Sequence, residues 1–149
     1  MQIAAKSVLL DESRLVDYCT TFFGYGHWAA PVWFIGIEEA GDDTKIVQRL
    51  DEWNKRNRND IEDAPSFYPS LQGNAEWHGL AAIPQPTWTQ LIRMLLIAQG
   101  KDDSPDHVLD YQRHHLGTAD GETCLLELLP LPWPRAAAKR SFRQRYIWQ

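Results

Sequence analysis

The chain has 149 residues, of which 44% are hydrophobic, 11% aromatic and 23% charged. That length suits one domain spanning 1–149, and those fractions exclude a disordered chain, a collagen-like fibre and a polar linker. The formal net charge of −5 joins an acidic body, with all 20 acids and 10 Lys/Arg before residue 135, to an acid-free tail holding Arg135, Lys139, Arg140, Arg143 and Arg145.

The start, MQIAAKSVLLDES, has a short apolar patch but no small-residue cleavage site, which speaks against a secretory signal. Residues 11–23 place Leu15, Tyr18, Cys19 and Phe22 at helical spacing behind Asp11 and Ser13 as capping candidates. Gly24-Tyr25-Gly26 breaks that helix. Residues 31–37, PVWFIGI, form an apolar run with β-branched and aromatic residues, the pattern of a parallel strand buried on both faces. A polar turn, Glu38 to Asp43, leads into a helix over 44–56 with Ile46, Val47, Leu50 and Trp53 on one face.

Residues 57–86 lose periodicity and carry four prolines with Phe67, Tyr68 and Trp77; an irregular stretch of that length is usually functional or mobile. A helix over 87–99 follows, with Thr87 as its cap and Gly100 as its stop. Another runs from Ser104-Pro105 towards Gly117. TCLLELL, 123–129, is a second buried-strand pattern, closed by Pro130-Leu131-Pro132, and the tail from Ala136 reads as helical.

Helices alternating with apolar strands predict an α/β domain with a parallel sheet. Two strands make a marginal sheet, so the pattern predicts an incomplete domain, the front part of a larger one. Trp33, Trp53 and Trp88 read as core, Trp77 and Trp133 as pocket residues. No run of about 18 apolar residues occurs, which predicts no membrane span. Cys19 and Cys124 have no metal or disulfide spacing, which fits a reducing cytoplasm, and no cofactor motif is present.

Two constellations carry chemistry. In open α/β sheets ligands sit at the carboxyl ends of strands, which points to the turn Gly36-Ile37-Glu38-Glu39-Ala40-Gly41. There Glu38 or Glu39 is a candidate general base, the four acids 38, 39, 42 and 43 a candidate cation site, and the alternative is a helix-capping acidic turn. The second is the exit from the later strand, where Glu127 interrupts an apolar run and three prolines aim Trp133. An exposed glutamate on an edge strand is the competing reading. His107, His114 and His115 lack the i, i+4 spacing of helical metal pairs, and His27 and His78 lack visible partners.

Residues 32–41 and 125–134, a strand ending in a glycine-flanked polar turn and a strand with a Leu-Pro-Leu-Pro exit, resemble the uracil-DNA glycosylase superfamily. The resemblance implies a three-layer α/β/α fold around a parallel sheet, with Glu38, or Glu39, activating a water. It also implies a base or nucleotide held by Gly36, Ile37, Gly41, Phe67, Tyr68, Glu127 and Trp133. The turn is one residue longer than the family's usual five, and Ala40 stands where proline is common. Many members read uracil with an asparagine where this chain has Glu127, whose ionised carboxylate only accepts hydrogen bonds and favours an exocyclic amine. The family's later His-Pro-Ser type loop has no counterpart here, which predicts that the 149-residue chain alone does not excise uracil.

The alternatives are a non-catalytic module whose Trp/Pro-rich loop anchors a protein, and a metal-dependent hydrolase at the acidic turn. The basic tail suits DNA phosphates, or else is a solvated helix face. An unpaired sheet edge predicts a homodimer.

Overall fold

The computed structural model describes residues 11–40, 43–71 and 77–133. The elements in chain order are α1 (Glu12–Thr21), β1 (Gly24–Tyr25), β2 (Val32–Ala40), α2 (Asp43–Lys55), β3 (Ile61–Glu62), α3 (Ala64–Phe67), α4 (Pro86–Ala98), α5 (Pro105–His114) and β4 (Thr123–Trp133). A 3₁₀ turn, Tyr68–Ser70, follows α3. The α/β class holds, as do the four predicted helices that fall on described residues, with ends shifted by up to three residues; the helix expected from Ala136 lies outside the described residues. The capping groups differ in part. Asp11 accepts from the amides of Ser13 and Arg14, as anticipated, whereas α4 is capped by Gln85, whose Oε1 takes the Trp88 N–H at 2.6 Å.

Four strands form one mixed sheet in the order β2-β4-β1-β3. The two long strands are adjacent and parallel, in register from Val32 opposite Thr123 to Glu38 opposite Leu129. Beyond that the register shifts, and Ala40 lies opposite Trp133. β4 therefore runs four residues further while β2 runs two. Pro130 and Pro132 explain the irregularity, since neither has an amide to donate to a ladder. They were expected to end the strand; instead β4 continues through them. The Glu127 N–H donates to the Phe23 carbonyl on the β1 side, so the alternate positions 130 and 132 face β2, and the shift in register there accommodates the missing donors.

Of the glycines read as a helix breaker, Gly24 belongs to a central strand and Gly26 directly follows it. β1 runs antiparallel to β4 and parallel to β3. Both glycines have positive φ, 148° and 114°, and a Cβ on Gly24 would collide with the Leu125 carbonyl. Only a residue without a side chain lets β1 reach β4 this closely.

The core lies on one face of the sheet. Tyr18 and Phe22 of α1, Trp53 of α2, Tyr25 of β1 and Phe67 of α3 meet there, with Tyr18 stacked on Phe22 at 4.8 Å and edge-on to Trp53 at 5.1 Å. Ile92 and Leu96 of α4, Val108 and Tyr111 of α5, and Leu125 of β4 complete it, with Val32 and Phe34 packed against it. The intervening faces of β2 do not match the prediction of burial on both sides. Trp33, Ile35 and Ile37 are 46%, 61% and 69% exposed, so Trp33 is not a core residue. Alternate side chains of a strand face opposite ways, and the described helices cover only one of them. A second helical layer is not found among the described residues.

The irregular stretch 57–86 contains short built elements. β3, α3 and the 3₁₀ turn lie within it, and Phe67 and Tyr68 are buried. Its last part is tied to α5 by Gln112, which is fully buried. The Gln112 amide accepts from the Gln85 N–H at 3.0 Å and donates to the Trp77 and Ile83 carbonyls, each at 2.9 Å.

Because β1 sits at the centre of the sheet, replacing Gly24 tests the whole arrangement. Gly24→Ala is expected to lower unfolding free energy by about 3 kcal/mol or more. Urea unfolding with an unchanged m-value measures it; a midpoint within error of the parent would count against the close β1–β4 approach.

Candidate strand-end site

The parallel pairing of β2 and β4 sets their carboxyl ends side by side, the location at which open α/β sheets bind ligands. The two segments singled out in the sequence are thereby neighbours, although Gly36 to Ala40 lie in β2 itself and not in the turn expected from Glu38 onwards. Their backbones pair directly at Ala40 and Trp133. The side chains of Glu38, Glu39 and Trp133 lie outside the described residues, as do Gly41 and the tail from 134.

Four residues before Ala40 along β2, Gly36 pairs with Glu127. The Glu127 carboxylate lies directly over Gly36, and a Cβ there would meet both of its oxygens. This gives the mid-strand glycine its reason: it leaves room for a neighbouring acid. Glu127 is on a central strand, not an edge strand, and its Oε2 is sealed from solvent. Period two along β4 puts it on the same side as Leu125, facing the helices.

That side of the sheet also holds a buried cation. Arg49 of α2 is 3% exposed; its Nη1 donates to the Tyr25 hydroxyl at 2.6 Å, and its guanidinium lies 5.6 Å from the centre of the Tyr68 ring. Tyr25 pairs with Leu125, two residues before Glu127 on the same strand. The pocket candidate Tyr68 thus joins an arginine, whereas Phe67, proposed with it, is fully buried against Phe22 and Tyr25 in the core and has no surface to offer a ligand. Ile37 is 69% exposed on the opposite side of the strand from Gly36, so the two do not line one pocket.

Beyond Tyr68 the aromatic wall continues. Tyr68 meets His78 and Trp88 at 5.4 Å each, His78 meets Trp88 at 5.4 Å, and Trp77 meets Trp88 at 6.4 Å. Trp77 and Trp88 are both partly buried and packed on the core. His78 is 3% exposed, and neither ring nitrogen makes a hydrogen bond of normal length among the described residues. Burial holds its pKa down, to about 4, against a partial upward pull from the Asp63 carboxylate and the backbone of Arg113 and Gln112.

The remaining histidines and cysteines are peripheral. His107 bonds Asp102 at the start of α5, His114 faces Asp110 at 3.8 Å, and His27 contacts the Gly121 carbonyl at 2.6 Å. Among the described residues no three His, Cys, Asp or Glu side chains gather to hold a metal ion. Both cysteines are free, and burial raises the Cys124 thiol to about 11, which makes it a poor nucleophile.

Arg49 and Tyr25 were missed in the sequence. Arg49 did leave a signal: it stands three residues after Ile46 and four before Trp53, on the apolar stripe of its helix. A charge at such a position is buried, and a buried charge needs a purpose or a partner.

Because His78 has a folded pKa below its unfolded value of 6.5, the fold favours the neutral ring. Its stabilising contribution is complete above pH 6.5 and is lost as pH falls towards 4, reaching about 3 kcal/mol at most. Urea midpoints measured from pH 7.5 to 4.5 should fall for the parent and fall less steeply for His78→Phe; identical slopes would count against a buried neutral histidine. Comparison with protein-family models, curated proteins and solved structures gives no match for this chain.

Proposed function

We propose that the chain binds a nucleobase or nucleotide at the carboxyl ends of β2 and β4, as a uracil-DNA glycosylase-like domain whose base-reading group is Glu127. The observation that carries this reading is the Glu127 carboxylate lying over Gly36 at the paired centre of the two long strands. That side chain is placed by its surroundings, since one oxygen is sealed from solvent and only the missing side chain of Gly36 makes the room it occupies. Such preorganisation is what base recognition needs.

An ionised carboxylate has no proton to donate. It accepts from the exocyclic amine of cytosine or adenine and repels the O4 of uracil or thymine. The favoured ligand class is therefore an amino-bearing base, presented as a nucleotide or flipped from single-stranded DNA. Arg49 and Tyr68 lie on the same side of the sheet but are only 3% and 5% exposed, so the half-buried Trp88 is the aromatic surface there. On this reading Glu38 or Glu39 takes a proton from a water as its oxygen bonds to the anomeric carbon and the glycosidic bond breaks, the base leaving with the electron pair. This chain alone is not expected to excise uracil. Two free cysteines, one of them fully buried, are consistent with a reducing cytoplasm. No described helix is long and apolar enough to cross a membrane.

Titration calorimetry with CMP, AMP, UMP and TMP tests the reading. CMP or AMP is expected to bind at least about tenfold more tightly than UMP and TMP, a difference of about 1.4 kcal/mol. Glu127→Gln should erase that preference. Gly36→Ala should weaken binding about tenfold by displacing the Glu127 carboxylate, at little cost in stability because the clash is with the end of a flexible side chain. Equal affinity for all four nucleotides, or none, sinks the proposal, as does turnover on uracil-containing DNA above background for its substrate preference.

A further inference from the structure

We infer that the open face of the sheet is an interface between two copies of this chain, packed face to face about a two-fold axis. Six large apolar side chains stand on or beside that face: Phe23, Trp28, Trp33, Ile35, Ile37 and Leu128, between 41% and 69% exposed. They are continuous. Phe23 meets Trp28 at 5.5 Å, Trp28 meets Trp33 at 5.9 Å, and Trp33, Ile35 and Ile37 follow one another along β2. Leu128 adds the adjoining part of β4.

Their exposed surface amounts to about 600 Å², at the upper end of the largest apolar patch on ordinary monomers. It approaches the roughly 800 Å² that each partner contributes to a standard interface. A two-fold contact uses the same patch twice and needs it to be self-complementary, a condition that apolar side chains on a twisted sheet meet by aligned packing at about 10 Å. Charge points the same way. From Tyr18 to Ile37 twenty consecutive residues contain no Asp, Glu, Lys or Arg. Of the described acids Asp60 touches the patch, accepting from the Trp28 indole N–H at 2.9 Å, so two acidic bodies that meet through this stretch bring few like charges together. Pairing through the β2 edge alone would satisfy backbone groups that water also satisfies, and would leave the six side chains wet.

Sedimentation equilibrium on the full chain tests the inference. We expect twice the chain mass at about 100 μM, with dissociation on dilution through the micromolar range. Ile35→Lys combined with Leu128→Lys should raise the dissociation constant at least tenfold while leaving the far-ultraviolet circular dichroism unchanged. If that double variant fails to fold, the milder Ile37→Gln should raise it several-fold. A single-chain mass for the parent at about 100 μM overturns the inference, and so does a dimer whose affinity none of these substitutions changes. The outcome is independent of nucleotide binding, which involves the other face.

Discussion

The parallel ladder between β2 and β4 is the constraint on which the rest of the molecule depends. Two parallel neighbours must be joined by a crossover, and in α/β structures that crossover lies on one side of the sheet. Here α2 begins the crossover, and the described helices that complete it share the core with Phe34 and Leu125. The ladder sets Gly36 against Glu127, brings Ala40 to Trp133, and turns Trp33, Ile35 and Ile37 away from the core. A one-residue slip would exchange those faces, placing Ile35 where Phe34 now packs and moving Glu127 off its glycine. Site and open surface are therefore consequences of one register.

Buried polar groups fix that register more sharply than the apolar residues do. Many combinations of Ile, Leu and Phe fill a core of a given volume. A carboxylate over a glycine, a guanidinium on a phenol and an amide satisfying three loop groups accept far fewer arrangements. Each unsatisfied alternative costs about 1–3 kcal/mol, a sizeable share of a domain's net stability. Gln112 shows the effect most clearly. The stretch from Trp77 to Gln85 has no regular hydrogen-bonding pattern of its own, and one side chain from α5 supplies it with three partners.

The sequence carried the long elements because each buries one face. The spacing of Ile46, Leu50 and Trp53 marks α2, and the unbroken apolar runs mark β2 and β4. It did not carry β1 and β3, since two residues hold no period. Gly24 and Gly26 look like a helix stop from sequence because the same lack of a side chain serves a turn and a close strand approach. Trp33 reads as core for a related reason: an apolar run says that a strand is apolar on both faces, not that both are covered. For the site, Glu127 stood out as an acid in an apolar strand, whereas Phe67 did not separate from Tyr68. Which of two adjacent aromatics faces the core and which faces Arg49 depends on the direction of a short helix that only tertiary contacts define.

Alternation along β2 and β4 also decouples the two faces. Gly36 and Glu127 share the core side with Phe34 and Leu125, while Ile35, Ile37 and Leu128 face the other way. A charge placed on the open side stands about a sheet's thickness from the carboxylate, with the strand backbone between them, and shares no side-chain contact with it. Energetic coupling across such a distance is small for independent sites, within about 0.5 kcal/mol. The ends of the strands are different. There the register shifts by two residues, Pro130 and Pro132 withhold amides from the ladder, and the backbone is less constrained by its neighbours. The carboxyl end is thus the least constrained part of the ladder, while the stretch of β4 paired with Val32 to Glu38 keeps Glu127 over its glycine.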